Sequence, residues 1–169
     1  MGIFHHGWYV IYTRPQRENK ISNYLSQKGI EFFFPTIKDV RQWNDRKKVI
    51  SKPLFPSYIF VKIYDSADYF NCLEIDGVCY FVKFGKQLGR ISQDEIDQLK
   101  IMVNYNGNIE ISDECFQSGQ KLQIEEGILA GLKGEMVKYN GKAKILIRTY
   151  ILNRNILVDL SAELCSAIA

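Results

Sequence analysis

Hydrophobic and polar positions alternate along a short stretch near the middle of the chain. Residues 58–63 are aromatic or β-branched apart from one lysine, and Pro53 and Pro56 hold the chain extended just before them. The pattern predicts a strand with two different faces. The aromatic face carries Tyr58, Phe60 and Lys62, and the aliphatic face carries Ile59, Val61 and Ile63. The alternation by itself favours an aromatic face covered by another element, and leaves open an exposed docking patch.

The first 105 residues contain further strand and helix patterns. Residues 16–28 have Ile21 and Leu25 on one side and end at Gly29, which predicts a helix with a glycine C-cap. The other predicted elements are strands at 8–12, 31–34 and 78–84, a hairpin of 37–43 and 47–51 turned at Asn44-Asp45-Arg46, and helices at 66–73 and from Ser92 to about Tyr105. This order predicts an α+β fold, a sandwich of helices on an antiparallel sheet, over residues 1–105.

The pattern changes after residue 105. Residues 106–118 have few regular apolar positions and are predicted to be a linker. Short β-rich segments follow at 121–124, 135–139, 143–150 and 156–160. Asn140-Gly141 is a strong signal for a two-residue hairpin turn. We expect residues 119–169 to form a small β-barrel, because closing a sheet removes its exposed edges.

Positive charge is concentrated near the N-terminus. Residues 1–52 hold ten Lys and Arg against four Asp and Glu, although the whole chain carries only +3. No apolar run reaches the length of a membrane span and no signal-peptide core is present, so we expect a cytoplasmic protein without membrane contact.

Two groups of cations in this segment are candidate nucleic-acid contacts. Arg17, Lys20, Tyr24 and Lys28 recur at helical spacing, so they share one stripe of the predicted helix. The stripe is either a solvated polar face, which the spacing alone favours, or a phosphate-binding face with Tyr24 stacking on a base. The hairpin tip, with Arg46, Lys47 and Lys48, fits a polyanion contact and an edge protected by charge equally well.

The sequence contains no pattern of an enzyme active site. The four cysteines are scattered without a C-x-x-C pair, which argues against a metal site and fits reduced thiols. Paired catalytic carboxylates, a nucleophile elbow and a phosphate loop are also missing from the sequence. We therefore expect a protein that is not an enzyme and needs no cofactor or metal.

Several motifs together resemble the NusG family of transcription elongation factors. Trp8-Tyr9-Val10, residues 55–61 (FPSYIFV) and Gly77-Val78 before Phe81-Val82 resemble the NusG N-terminal domain. Gly119-Gln120, Gly127 and Gly134 with Val137 resemble its KOW domain, an SH3-like β-barrel. Within the family, residues 51–56 and 81–85 look most similar to the specialised, operon-restricted paralogues of the RfaH and UpxY kind.

This resemblance implies a transcription antitermination and elongation factor. In relatives, the N-terminal domain binds the clamp helices of the largest RNA polymerase subunit through an apolar patch, whose matching positions here are Tyr12, Tyr58 and Phe60. The resemblance thus favours an exposed aromatic face. A second polymerase contact in relatives, to the gate loop of the other large subunit, matches Tyr69 and Phe70.

The resemblance also implies contact with the displaced non-template single-stranded DNA. The matching positions are Arg14, Lys20 and Tyr24, with Arg17 and Lys28 close by. Asp76 departs from the family, since relatives carry an arginine there and a carboxylate repels phosphate. The KOW domain of relatives binds a ribosomal protein or a termination factor. Two alternatives stay open, a housekeeping NusG factor and a KOW-type RNA-binding or ribosome-associated protein.

Overall fold

The structure is a computed structural model that describes residues 5–43, 46–149 and 152–159. The first strands and helices are β1 (Gly7–Thr13), α1 (Glu18–Gln27), β2 (Phe32–Phe33), β3 (Thr36–Trp43), β4 (Arg46–Pro53), β5 (Tyr58–Ile63), α2 (Ser66–Leu73), β6 (Val78–Phe81), β7 (Lys83–Phe84), β8 (Gln87–Leu88) and β9 (Arg90–Ile91). After them come α3 (Gln93–Val103), β10 (Ile109–Ser112), β11 (Gln120–Gln123), β12 (Lys133–Tyr139), β13 (Lys142–Thr149) and β14 (Arg154–Asp159). The chain divides into two compact units, residues 1–93 and 94–169.

The first unit is built on an antiparallel sheet with β1 near its centre. The strand order is β2-β5-β1-β6, and β9 also pairs with β1. Strand β5 pairs with β1 along its whole length, with Ile11 opposite Ile59 and Val10 opposite Phe60. Because side chains alternate, this register places Ile11 on one face of the sheet with the aliphatic residues of β5, and Val10 on the other face with Phe60.

Helices α1 and α2 cover the aliphatic face. Ile11, Ile59 and Val61 pack there with Ile21 and Leu25 of α1 in one buried cluster. Cys72 of α2 belongs to the same cluster, and burial raises the pKa of its thiol to about 12. A thiol in that state is a neutral core residue at physiological pH. The predicted helix at 16–28 is confirmed as α1, and Gly29 adopts the positive φ of 71° that a glycine C-cap requires.

Two hairpins leave this sheet. Strands β3 and β4 pair only with each other, so the predicted hairpin is confirmed, although Asn44 and Asp45 of its predicted turn lie outside the described residues. The strand predicted at 78–84 is two strands, because the chain leaves the main sheet after Phe81. Strand β7 then pairs with β8 in a separate hairpin.

The second unit is a five-stranded antiparallel sheet in the order β10-β14-β13-β12-β11. The predicted turn at Asn140-Gly141 is confirmed: Tyr139 pairs with Lys142, and the two turn residues have φ of 50° and 78°. Arg148 of β13 holds the segment around Phe116 against the sheet, since its guanidinium donates hydrogen bonds to the Glu135 carboxylate and the Phe116 carbonyl.

The second unit also differs from the sequence-based expectations. The predicted linker at 106–118 contains β10, whose Ile109 pairs with Val158 of β14. Lys144 reinforces this pairing, since its Nζ lies 2.9 Å from carboxylate oxygens of Glu110 and Asp159. Helix α3 was expected in the first domain, but from Asp94 onward it belongs to the second unit. There the Gln98 side chain accepts a hydrogen bond from the Lys133 amide and donates one to the Gly131 carbonyl.

The fold class agrees with the expectation of mixed helices and antiparallel sheets. Three helices and two five-stranded sheets are present in the parts of the chain that the structure describes. None of the described helices is long and apolar enough to cross a membrane. Closure of the second sheet into an SH3-like KOW barrel stays a prediction.

Candidate functional site

Three tyrosines lie side by side on three neighbouring strands of the first sheet. In the strand register Tyr12 lies opposite Tyr58 of β5 on one side and opposite Tyr80 of β6 on the other. The ring of Tyr12 lies 5.3 Å from that of Tyr58, edge to face, and 5.1 Å from that of Tyr80, stacked. Tyr80 is 52% exposed and the other two are partly exposed. We call these three residues the tyrosine row.

Strand pairing and ring contacts hold the tyrosine row in place. Desolvation raises the pKa of the Tyr80 hydroxyl, and Tyr58 and Tyr12 raise it further. All three side chains belong to hydrogen-bonded strands and contact one another, so little conformational entropy is lost when a partner covers them. The row therefore offers apolar ring area together with hydroxyl groups, which is a combination typical of protein interfaces.

Phe60 does not belong to this exposed surface, and the expectation that it would be exposed is wrong. It is 1% exposed, and its ring lies 6.1 Å from the rings of both Phe33 and Phe55. It also lies opposite Val10, which is fully buried. Phe60 shares a sheet face with Tyr58 as predicted, but Phe33 and Phe55 seal it into the interior.

Tyr69 and Phe70, the expected second polymerase contact, have different environments. Tyr69 stacks on Phe81 with the ring centroids 4.6 Å apart and packs against the core. Phe70 is 49% exposed on α2. The structure thus leaves Phe70 accessible to a partner, whereas Tyr69 contributes mainly to the interior of the first unit.

The expected nucleic-acid contacts are exposed at and beside helix α1. Arg14, Arg17, Lys20, Tyr24 and Lys28 are all exposed. Lys20 Nζ lies 5.7 Å from the centroid of the Tyr24 ring, which keeps a cation beside an exposed aromatic face. Lys28 Nζ lies 3.7 Å from Glu74 Oε2, and this carboxylate offsets its charge. The stripe is therefore most cationic at its N-terminal end.

A buried carboxylate joins this helix to the tyrosine row. Glu18, in the first turn of α1, is buried and its Oε1 accepts a hydrogen bond of 2.8 Å from the Ser57 amide. The Ser57 carbonyl accepts a bond of 2.8 Å from the Thr13 amide. Ser57 has φ of 68°, a conformation that a serine holds only under such constraint, and it directly precedes Tyr58. Glu18 and Thr13 thereby fix where the aromatic strand begins.

Sequence analysis missed Tyr80 and Glu18. Tyr80 was placed within a strand, but no local pattern shows that this strand pairs with β1 at Tyr12. Glu18 is an ordinary acidic residue in the first turn of a helix, a position where carboxylates are common. No signal in the sequence links Glu18 to the Ser57 amide, because the two residues are 39 positions apart.

The second unit has a surface cleft of about 530 Å³. Its lining combines aromatic, polar and charged groups, including Phe116, Tyr139, Met136 and Lys138. The Phe116 and Tyr139 rings lie 5.6 Å apart, edge to face. Among the described residues no group of three or more His, Cys, Asp or Glu side chains could hold a metal ion.

The tyrosine row and the exposed cations at and beside α1 are features typical of proteins that bind other macromolecules. The family model described as "Transcription termination factor nusG" matches residues 6–100. The chain is 23% identical over 165 residues to the transcription termination/antitermination protein NusG of Thermus thermophilus, covering 85% of this chain and 89% of that protein. It is 24% identical over 159 residues to NusG of Streptococcus pyogenes, covering 87% and 89%.

A solved structure of NusG from Thermotoga maritima has the same fold. It aligns with a TM-score of 0.51 at 20% identity, covering 99% of this chain and 98% of that one. Because the family model matches more than half of the chain, the chain belongs to the NusG family. Its members are transcription factors, so the prediction that the protein is not an enzyme is confirmed.

Proposed function

We propose that this protein is a specialised NusG-like antitermination and elongation factor that binds the clamp helices of RNA polymerase through the tyrosine row. The observation that supports this most is the alignment of Tyr12, Tyr58 and Tyr80 on three neighbouring strands. Aromatic rings held in place by their strands bury much area against a partner helix at little cost in conformational entropy. Phe60 supports the row from within, because its ring fixes the strand that carries Tyr58.

The double change Tyr58→Ala and Tyr80→Ala tests this assignment. We expect binding to core RNA polymerase to weaken at least ~30-fold, since central aromatic anchors contribute about 2 kcal/mol or more. The matched control is Tyr64→Ala with Phe84→Ala, which removes two exposed rings outside the row and should leave affinity within about twofold. Wild-type affinity in a folded row variant would refute the assignment.

We also propose that the α1 stripe contacts the non-template single strand. Arg14, Arg17 and Lys20 supply cations and Tyr24 supplies a stacking surface, which is how proteins bind single strands with little base specificity. Lys28, paired with Glu74, would contribute least. Arg17→Gln with Lys20→Gln should leave polymerase affinity nearly unchanged and reduce cross-linking to the non-template strand in an elongation complex. Unchanged cross-linking would show that the stripe is only solvated.

A housekeeping role is the second candidate, because the relatives from Thermus and Streptococcus carry the name NusG itself, transcription termination/antitermination protein. The motifs at 51–56 and 81–85 favour the specialised form. Transcript profiles of a deletion strain separate the two. Loss confined to the distal genes of a few long operons supports the specialised factor, whereas changes spread over most transcripts support the housekeeping one.

We further propose that the second unit is a KOW barrel that binds a protein partner, with a ribosomal protein or a termination factor as candidates. Its tight Asn140-Gly141 turn and extensive strand pairing support a stable β fold. We expect it not to refold into helices. A circular dichroism spectrum of residues 118–169 dominated by helix would contradict this.

A further inference from the structure

The functions proposed above do not use the cleft of about 530 Å³ in the second unit. One wall of this cleft is the segment 114–119, and the other is residues 136–140, at the end of β12 and in the turn that follows. The segment 114–119 has no regular secondary structure and lies largely within the stretch predicted to be a linker. An irregular segment keeps its place beside an open cleft only if other residues hold it there.

Side chains of β13 and β14 hold the irregular wall. Arg148 donates a hydrogen bond of 3.0 Å to the Phe116 carbonyl, and Asn155 donates one of 2.7 Å to the Glu114 carbonyl. These bonds pair backbone groups that the segment does not pair within itself. The wall is therefore in position before a ligand arrives, which lowers the entropy that binding would cost.

Gly119 allows the two walls to approach each other. Its amide donates a hydrogen bond of 3.0 Å to Glu135 Oε2 of β12, and a side chain at this position would overlap the Met136 carbonyl oxygen. Hydrogen bonds from Arg148 and from the Gly119 amide hold the pKa of the Glu135 carboxyl below its ordinary value, so this acceptor stays ionised. The cleft is thus defined by specific contacts on both of its sides.

The lining of the cleft combines aromatic rings with amide groups. The rings of Phe116 and Tyr139 meet edge to face, and both side chains are partly exposed. Met136 is 36% exposed and adds an adaptable apolar side chain. Gln117 and Asn140 contribute exposed side-chain amides to the same lining. Each amide can both donate and accept hydrogen bonds.

The charge of the second unit favours a peptide over a nucleic acid. Residues 94–169 hold eight Lys and Arg against eleven Asp and Glu, a net charge of −3. The lining itself contains one carboxylate, that of Glu114, and one ammonium group, that of Lys138. An acidic unit without excess positive charge in its cleft repels the phosphates of a nucleic acid and attracts a basic peptide.

We infer that this cleft binds a proline-rich segment of a protein partner, with a basic residue of the segment against Glu114. Extended proline-rich segments dock in aromatic-lined grooves and lose little entropy on binding, because their conformation is already formed. Their carbonyls are unpaired, and the amides of Gln117 and Asn140 can donate to them. The inference rests on the proposal that the second unit binds a protein, and it adds the site and the kind of segment.

Fluorescence anisotropy with the full chain and a labelled proline-rich peptide of about ten residues, ending in arginine, tests this inference. Phe116→Ala should weaken binding about tenfold or more, because one ring of the aromatic pair is lost. Glu114→Gln keeps an acceptor for the Tyr139 hydroxyl and should weaken binding about threefold, but only for the peptide that carries the arginine. The controls Ile128→Ala and Glu125→Gln alter exposed residues outside the lining and should bind within about twofold of the wild type.

Thermal melting with circular dichroism establishes that the variants are folded. Four results would overturn the inference. They are no saturable binding of the peptide at up to about 1 mM protein, equal binding of a peptide with glycines in place of prolines, and equal losses in Phe116→Ala and Ile128→Ala. The fourth is tighter binding of a single-stranded RNA of about ten nucleotides that is lost in Phe116→Ala, which would assign the cleft to nucleobases.

The same variants separate this inference from the function on which it rests. A ribosomal protein or termination factor that binds the wild type and Phe116→Ala equally would keep the protein-binding role of the second unit and refute the cleft as its site. Peptide binding that depends on Phe116, with neither of these proteins bound by the full chain, would support the cleft and refute only those two candidates.

Discussion

Two neighbouring positions on one sheet face differ in whether their side chains are exposed. Tyr58 and Phe60 are two residues apart on β5, both aromatic and both opposite residues of β1. Tyr58 is partly exposed next to Tyr12, whereas Phe60 is sealed by Phe33 and Phe55. Strand alternation fixes the face on which a side chain lies, but residues distant in sequence decide whether that face is covered at a given position.

This contrast separates stability from binding. An aromatic ring in a sealed position stabilises the fold through the contacts it makes inside the chain. A ring in the tyrosine row has part of its area exposed, so we expect its removal to affect the proposed complex more than the fold. The following substitutions test this division, from the largest expected effect to the smallest.

Phe60→Ala should have the largest effect on folding. Removing a sealed ring leaves a cavity, and we expect the free energy of unfolding to fall by about 3–5 kcal/mol. Tyr58→Ala, two residues away, should lower it by about 1 kcal/mol, because that ring is already partly exposed. Urea denaturation followed by circular dichroism measures both. Similar losses in the two variants would contradict the division.

Glu18→Ala should have an intermediate effect, on both the free energy of unfolding and polymerase binding. The buried Ser57 amide would lose its acceptor, which costs about 1–3 kcal/mol of unfolding free energy. Ser57 would also leave its constrained φ more easily, so polymerase binding through Tyr58 should weaken in the folded variant. Glu18→Gln keeps an acceptor oxygen and serves as the control for both denaturation and binding. Equal behaviour of the two variants would show that the hydrogen bond does not position the row.

The Tyr80 hydroxyl should show the smallest effect, confined to alkaline pH. Its pKa in the folded protein is raised above the ordinary 10.0, so folding favours the neutral form. The corresponding stabilisation is present below the unfolded-state pKa and is lost as the pH rises through the folded-state pKa. An NMR titration of ring-labelled tyrosine, assigned with Tyr80→Phe, measures the shift. A Tyr80 signal that titrates at or below the ordinary pKa would contradict the role of its neighbours.

Local sequence patterns predicted much of the first unit. The strand at 58–63 and the helix at 66–73 lie where the pattern placed them, and Gly29 ends α1 as expected. These features depend on residues close together along the chain, such as the alternation of side chains in a strand or a glycine that can take positive φ. The Asn140-Gly141 turn was predictable for the same reason.

The composition of the site was only partly predictable. Tyr12 and Tyr58 were identified through family resemblance and are partly exposed as expected, whereas Phe60 is buried and Tyr80 takes a place in the row. The predicted stripe of α1 is exposed along its length, but the pairing of Lys28 with Glu74 depends on the packing of α2 beside α1. Such pairings bring together residues more than forty positions apart, which no local pattern records.

The sequence by itself determined the family, the strand and helix periods and the basic character of the first fifty residues. Only the tertiary structure decided which rings face solvent, that β10 pairs with β14, and that α3 from Asp94 onward belongs to the second unit. The physical reason is that propensity and alternation act between near neighbours, whereas burial depends on which distant segments fill the space above each position.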